Sequence, residues 1–241
     1  MTVAISLSKT CSLARAIACG AALCAFITTT AYAADLRIAL QDAETGQPLE
    51  DAVVEVLLPV GLQSQFSAAA DYSVDQVEKE FVANVTVISV GSRVNFPNSD
   101  DILHHVYSFS PAKVFELPLY GNGQSVNFSE VFEQAGVVEI GCNIHDWMLG
   151  YIYVAQTSLA VKTDANGQAV IGGVPAGEFK VRIWHPRAPA DSAELEQDIA
   201  FDDAQASNLR MALTLERHSS RFAASVLAYW YSYWRCFCLC Y

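Results

Sequence analysis

The chain has 241 residues, of which 52% are hydrophobic and 17% charged, a composition typical of a globular protein with one or two buried cores. Lys and Arg number 14 against 26 Asp and Glu, so the formal net charge is −12. This balance argues against nucleic-acid binding, because affinity for phosphate backbones comes mostly from clustered Lys and Arg. Any electrostatic partner is expected to be cationic.

Residues 1–33 predict a secretory signal peptide. An apolar run extends from Ala16 to Ile27 behind two basic residues, and Ala31-Tyr32-Ala33 forms a cleavage site. The alternatives are a transmembrane anchor, for which the run is short against the roughly 20 residues of a spanning helix, and a lipoprotein anchored at Cys19 or Cys24. We predict an exported, periplasmic protein with no integral membrane span.

The cysteines are unevenly distributed. Of the seven, three lie in the signal peptide and three in the last six residues, which leaves Cys142 alone in the body of the chain. A disulfide scaffold would show paired cysteines throughout. Cys142 is therefore either an inert buried thiol or a metal ligand.

Apolar and polar residues alternate along most of the chain, which predicts β-strands and an all-β fold. The pattern is clearest at Leu36-x-Ile38-x-Leu40, Phe179-x-Val181-x-Ile183 and Leu209-x-Met211-x-Leu213-x-Leu215. Turn signals such as Asn122-Gly123 and Asn166-Gly167 separate the strands. The pattern favours one or two antiparallel sandwiches.

Residues 34–60 and 157–216 have a similar style of β-strand sequence, and the chain between them has a different one. The stretches from Asp42 to Val56 and from Thr163 to Val181, with their Thr-Gly, Asn-Gly and Pro-Ala-Gly turns, resemble the carboxypeptidase regulatory-like family. The resemblance implies a transthyretin-like or Ig-like sandwich, usually an accessory domain without catalysis.

We therefore predict one such domain, interrupted by a linker at residues 61–70 and an inserted domain at 71–156. In the alternative interpretation, residues 35–58 supply the first strands of the central domain. Residues 217–241 differ in style from the rest of the chain, and no function is assigned to them.

The inserted segment contains a potential metal-binding pattern, Cys142-Asn143-Ile144-His145-Asp146-Trp147-Met148. Val138, Ile140 and Cys142 share one face of a predicted strand, so the thiol should point inward at the strand's end. Two-residue spacers let His145 and then Met148 return to the same point. His104, at the end of an earlier loop, is the natural fourth ligand.

This donor set favours copper over zinc. Thiolate and thioether sulfur stabilise Cu(I), imidazole serves both oxidation states, and a His2Cys site with a long axial Met is the blue-copper arrangement. Zinc accepts Cys and His, but Met is a poor zinc ligand.

The segment resembles the cupredoxins, the small blue copper proteins of the plastocyanin and amicyanin group, and its C-x2-H-x2-M spacing is similar to that of amicyanin. Exported proteins called methylamine utilisation proteins share this pattern. The resemblance implies a Greek-key β-sandwich holding one type 1 copper ion, with ligands at His104, Cys142, His145 and Met148.

Two positions depart from the family. His105 stands where Asn usually follows the first ligand, which leaves open which of the adjacent histidines binds, with His104 favoured by its alignment with Asn98 and Val106. Ile144 stands where Pro is frequent, which puts the rigidity of the loop in question.

Other residues near the pattern, and one histidine outside it, are not assigned as metal ligands. Asp100, Asp101 and Asp146 are expected to be solvated loop carboxylates, with support of the site or docking as the alternative. Trp147 either lines an electron exit or packs. His185 is expected to be exposed.

The functional prediction is an exported blue copper protein that carries single electrons between periplasmic redox partners, such as a cationic c-type cytochrome or a dehydrogenase. The alternatives are a copper delivery, storage or sensing module and a cell-envelope structural protein with a degenerate motif. An enzyme is the weakest interpretation, because copper oxidases and nitrite reductases generally need further copper centres and the chain has only five His.

Overall fold

A computed structural model describes residues 34–123, 128–189, 194–202 and 207–216. The signal peptide predicted at 1–33 and the tail at 217–241 lie outside the described residues. The all-β prediction is confirmed, because strands dominate and the described helices are one α-helical turn, Val60–Gln63, and one 3-10 turn, Ser64–Phe66. Neither is long and apolar enough to cross a membrane.

The strands follow one another in short succession along the chain. The first six are β1 (Ala34–Asp42), β2 (Val53–Leu57), β3 (Asp71–Ser73), β4 (Gln76–Val77), β5 (Glu80–Phe81) and β6 (Val85–Ser89). The next six are β7 (Ser92–Asn95), β8 (Val106–Ser110), β9 (Lys113–Glu116), β10 (Ser129–Phe132), β11 (Gly136–Cys142) and β12 (His145–Ala155). The last five are β13 (Ala160–Lys162), β14 (Gln168–Val174), β15 (Gly177–Trp184), β16 (Glu194–Phe201) and β17 (Ser207–Leu213).

The strands at the two ends of the described chain pair with each other. β1 lies antiparallel to β14 and parallel to β17, while β2 lies between β13 and β15, with β16 at the edge. Residues 34–57 therefore share sheets with residues 160–213. The division of the chain into domains stays a prediction.

One hydrophobic cluster, which we call the outer core, fills this region. The alternation predicted for β1 and β15 is confirmed, because Leu36, Ile38 and Leu40 are buried on one face of β1, and β15 buries every second residue from Phe179 to Ile183. Period-2 alternation places these side chains on a single face of each strand, so both strands contribute to the same cluster.

The central strands form a five-stranded sheet in the order β6-β12-β11-β8-β9 and a three-stranded sheet in the order β10-β7-β3. A second cluster, the central core, contains side chains of both sheets, including Val94, Phe132, Ile140 and Ile152. β4 and β5 form a separate two-stranded hairpin.

A polar contact joins the two regions. The carboxylate of Glu55 on β2 is buried, and it accepts hydrogen bonds from the Tyr153 hydroxyl at 2.8 Å and from Gln156 N at 2.6 Å. Trp184 on β15 packs beside Tyr153 with 5.8 Å between ring centroids. A buried carboxylate needs such partners, since an unpaired charge in the interior is costly.

The expectation for His185 was wrong. Its side chain is buried, with 6% exposure, and Arg187 N donates a hydrogen bond to its Nδ1 at 3.1 Å. Burial lowers the pKa of His185 to about 4, because the charged imidazolium would lose its hydration. A single histidine that follows a strand and precedes a proline carries no sequence signal of whether it will be buried.

Candidate metal centre

Cys142 is the last residue of β11, and its side chain is buried. Val138 and Ile140 precede it on the same face and belong with it to the central core. The thiol therefore points into the interior at the end of the strand, as the alternation predicted. β11 pairs with β12 along one edge and with β8 along the other, where Cys142 lies opposite Val106.

Two imidazoles face this thiol. His104 Nδ1 and His145 Nδ1 each lie 3.6 Å from Cys142 Sγ. The three potential ligand atoms lie within 4.8 Å of one another. The ring of His104 is completely buried, whereas that of His145 is partly exposed.

Local backbone structure explains how the two histidines reach the thiol. Asn143 and Ile144 connect β11 to β12, and the irregular register there pairs Cys142 directly with His145. His104 is held by a backbone bridge to Tyr120, in which each residue's N–H donates to the other's carbonyl at 2.9 and 3.0 Å.

The two adjacent histidines point to different partners. His105 Nε2 lies 3.0 Å from Glu116 Oε1 on β9, while His104 lies beside Cys142. Successive residues of an extended chain project to opposite sides, so only one of the pair can face the thiol.

Met148, the fourth sequence candidate, lies on β12 with 1% of its surface exposed. It belongs to the same hydrophobic cluster as Cys142. The structure thus brings His104, Cys142 and His145 together and buries Met148 in the core beside Cys142's strand.

The interpretation of Asp100 as a solvated carboxylate was wrong. Its side chain is 12% exposed, and its Oδ2 lies 2.7 Å from His104 Nε2. Asp100 lies in an irregular loop, where its position four residues before His104 carries no signal of this contact. Asp101 and Asp146 are exposed, as expected.

Tyr120 and Gln76 are further supporting residues that the sequence gave no reason to select. The Tyr120 hydroxyl donates to Phe96 O at 2.8 Å and accepts from Gln76 Nε2 at 2.6 Å. Burial raises the pKa of Tyr120 to about 12. The hydroxyl therefore stays protonated and can keep donating to Phe96.

The electrostatics of the centre suit metal binding. Burial, with His104 nearby, lowers the pKa of His145, which favours the neutral imidazole that a metal requires. Burial alone would raise the pKa of Asp100, but hydrogen bonds from Lys79 N, His104 and Glu78 N outweigh it and lower that pKa. Asp100 is thus a carboxylate acceptor at neutral pH.

The donor chemistry fits a copper ion. One buried thiol and two imidazole nitrogens converge from separate parts of the chain, and a buried thioether lies in the same core. Sulfur together with imidazole is the set that copper accepts in both oxidation states. The residues present are therefore consistent with a copper site.

An exposed apolar surface adjoins the partly exposed ligand candidate. Trp147 is 66% exposed and packs against the His145 ring, with 5.5 Å between centroids. Ile144 and Leu103, the residues before His145 and His104, are 49% and 47% exposed. We call Trp147 and Ile144, the exposed apolar residues nearest to His145 in the chain, the His145 surface.

Solved structures similar to this chain include two cupredoxins and a copper-containing nitrite reductase. A purple cupredoxin from Nitrosopumilus maritimus is 26% identical, with 35% of this chain and 98% of that chain covered and a TM-score of 0.31. A reduced amicyanin variant is 19% identical, with 44% and 99% covered and a TM-score of 0.32. A copper-containing nitrite reductase from Thermus scotoductus SA-01 is 23% identical, with 40% of this chain but only 27% of that chain covered and a TM-score of 0.33.

No protein-family model and no curated protein matches the chain. The resemblance of the outer region to the carboxypeptidase regulatory-like family stays a prediction.

Proposed function

We propose that this protein is an exported type 1 copper protein that carries single electrons between periplasmic redox partners. His104, Cys142 and His145 would hold one copper ion, with Met148 as a weak fourth ligand. The observation that carries the proposal is the convergence of two imidazole Nδ1 atoms, each 3.6 Å from one buried thiol sulfur. Copper in such a site supplies a one-electron couple.

The protein's own residues contribute rigidity. Strand pairing fixes Cys142 and His145, the Tyr120 bridge fixes His104, and Cys142 belongs to the central core. A donor set that is already in place needs little rearrangement when the charge of the site changes. Rigidity of this kind suits a carrier that must gain and lose an electron without moving its ligands.

His145 is the proposed point of electron exchange, because its ring is the ligand candidate that reaches the surface. The His145 surface around it is apolar and able to approach a partner closely. The alternatives of copper delivery and an envelope role use the same residues differently. A reversible one-electron couple supports the carrier, whereas transfer of the copper to an acceptor protein supports delivery.

The visible and EPR spectra after Cu(II) loading test the metal site, in protein purified after export. We expect an intense thiolate-to-copper charge-transfer band that Cys142→Ser and His104→Gln abolish. His105→Gln is the matched control, since it removes the neighbouring imidazole, and it should keep the band. A colourless wild-type protein, or a band that depends on His105 instead of His104, would contradict the proposed ligand set.

A cationic c-type cytochrome is the proposed partner, given the formal net charge of −12. Electron-transfer rates to such a cytochrome should fall as ionic strength rises, because salt screens the attraction between exposed charges. Rates that do not change with salt would rule out electrostatic steering and favour docking through the apolar His145 surface alone.

A further inference from the structure

The carboxylate of Asp100 has three hydrogen-bond donors. Its Oδ1 accepts from Glu78 N at 2.6 Å, and its Oδ2 accepts from Lys79 N at 2.9 Å and lies 2.7 Å from His104 Nε2. This largely shielded carboxylate thus connects one backbone turn to one side chain of the candidate metal centre.

The turn that faces Asp100 has an unusual backbone. Glu78 and Lys79 connect β4 to β5, and their φ angles are +54° and +63°. Two-residue hairpin turns with two positive φ angles strongly prefer Asn and Gly, because other side chains are strained there. The two hydrogen bonds to Asp100 help to explain why this turn is maintained without either residue.

The hairpin formed by β4 and β5 is itself fixed to the chain around the site. Gln76 Nε2 donates to Pro97 O at 2.8 Å, and Ser99 N donates to Gln76 O at 3.0 Å. Ser99 Oγ donates to Asp75 Oδ2 at 2.7 Å. The hairpin and the loop that carries Asp100 therefore form one hydrogen-bonded unit.

The bond to Asp100 also sets which nitrogen of His104 carries the proton. A carboxylate oxygen accepts hydrogen bonds, so an imidazole bonded to it through Nε2 carries a proton on that nitrogen. Nδ1 is the other ring nitrogen, and it faces Cys142 Sγ, where a metal would bind. The tautomer is the one that a metal bound at Nδ1 would require.

We propose that Asp100 is a positioning residue for the metal centre, holding His104 in the Nε2–H tautomer with Nδ1 towards Cys142 and tying that ring to the β4–β5 turn. The inference rests on the proposed function and deepens it. A negative charge hydrogen-bonded to the imidazole also strengthens it as a donor, and this favours the more highly charged Cu(II) over Cu(I).

The test compares Asp100→Asn with Asp101→Asn in the exported full-length protein. Both substitutions remove one negative charge from the same loop, but Asp101 is exposed and Asp100 contacts His104. Asparagine keeps a side-chain oxygen that can accept from the turn, so folding should be preserved, and circular dichroism checks this.

The first readout is nitrogen NMR of the imidazoles in the metal-free protein at neutral pH. Wild type and Asp101→Asn should show His104 as the Nε2–H tautomer, and Asp100→Asn should show a mixture of tautomers. A wild-type His104 that is protonated on Nδ1, or an unchanged spectrum in Asp100→Asn, would overturn the inference whether or not copper binds.

The second readout is Cu(II) affinity and reduction potential. Asp100→Asn should bind Cu(II) about 10- to 100-fold more weakly, with a smaller loss for Cu(I). Each tenfold difference between the two losses raises the potential of a one-electron couple by about 59 mV. Equal potentials for the two variants would overturn the inference and leave the proposed copper site intact. A wild type that binds no copper would count against the proposed function, and the NMR result would then decide whether Asp100 sets the tautomer of His104.

Discussion

The outer core and the central core are both built from strands with alternating buried and exposed residues, but they differ in the polar side chains buried beside them. The outer core is aliphatic apart from Phe179 and Phe201, and Thr163, a buried polar residue beside it, bonds only to backbone groups. At one end of the central core, by contrast, Gln76, Asn98 and His104 are buried together.

The difference lies in the partners that the buried polar groups near His104 have. Asn98 Nδ2 donates to Ile102 O at 2.9 Å and to Tyr120 O at 3.0 Å, and Tyr120 in turn bridges to His104. Polar groups in an apolar interior lower stability unless they are hydrogen-bonded. In the central core, these bonds converge on the loop that presents His104.

The largest expected effects compare one isoleucine from each core. Ile140→Ala and Ile183→Ala each remove a side chain that is 1% exposed and should lower the free energy of unfolding by about 2–5 kcal/mol. Ile140 lies two residues before Cys142 on the same strand face, so only its replacement should also shift the visible band and reduction potential of the copper-loaded protein. Urea unfolding and voltammetry measure the two effects.

Equal spectroscopic changes in both variants would show that the metal centre responds to global stability, and the functional distinction between the two cores would fail. If neither variant changed the spectrum, the central core would not be what orients Cys142.

The second prediction concerns the buried His185, whose Nδ1 accepts a hydrogen bond from a backbone N–H. The other buried histidine, His104, contacts the side chains of Asp100 and Cys142. The pKa of His185 is about 4 in the folded protein, below the ordinary histidine value of 6.5. The unfolded chain therefore binds more protons between these values, and stability should fall as the pH drops from about 6.5 towards 4, by roughly 2–3 kcal/mol.

His185→Gln removes this titration, so the free energy of unfolding of the metal-free variant should depend less on pH than that of wild type over this interval. Urea denaturation at pH 7 and pH 4.5 measures the free energy of unfolding of each protein. Subtracting the values of the variant from those of wild type cancels the contributions of the other titrating groups. Parallel pH profiles would contradict the burial of the His185 ring in its neutral form.

The smallest expected effect comes from the turn beside Asp100. Replacing Glu78 by Asn and Lys79 by Gly should raise the free energy of unfolding by about 1 kcal/mol, because both new residues tolerate positive φ. The two N–H donors to Asp100 remain, so the reduction potential should stay at the wild-type value.

A shift in the potential as large as that of Asp100→Asn would mean that the side chains of the turn matter to the site, not only its backbone. A loss of stability would contradict the positive φ angles.

Much of the site could be predicted because most of its candidate ligands lie close together in the sequence. Cys142, His145 and Met148 lie within one loop and one strand, and both periodicity and spacing act over that distance. The choice of His104 over His105 was favoured by a resemblance, but the physical reason for it lies in Glu116 on β9, a partner that comes later in the chain.

The burial of His185 and the role of Asp100 could not be predicted in the same way. Each depends on segments that meet only in the folded protein, such as the β4–β5 turn against the loop of Asp100. A carboxylate in a loop has the same sequence signature whether it faces water or an imidazole.

The sequence by itself determined the strands, the inward direction of Cys142 and the chemistry of the donor set, because side-chain alternation and ligand type are properties of neighbouring residues. Tertiary structure alone decided the parallel pairing of β1 with β17, the burial of Glu55 between the two regions, and the carboxylate that holds His104. These features need contacts between distant segments, which form only when the whole chain has packed.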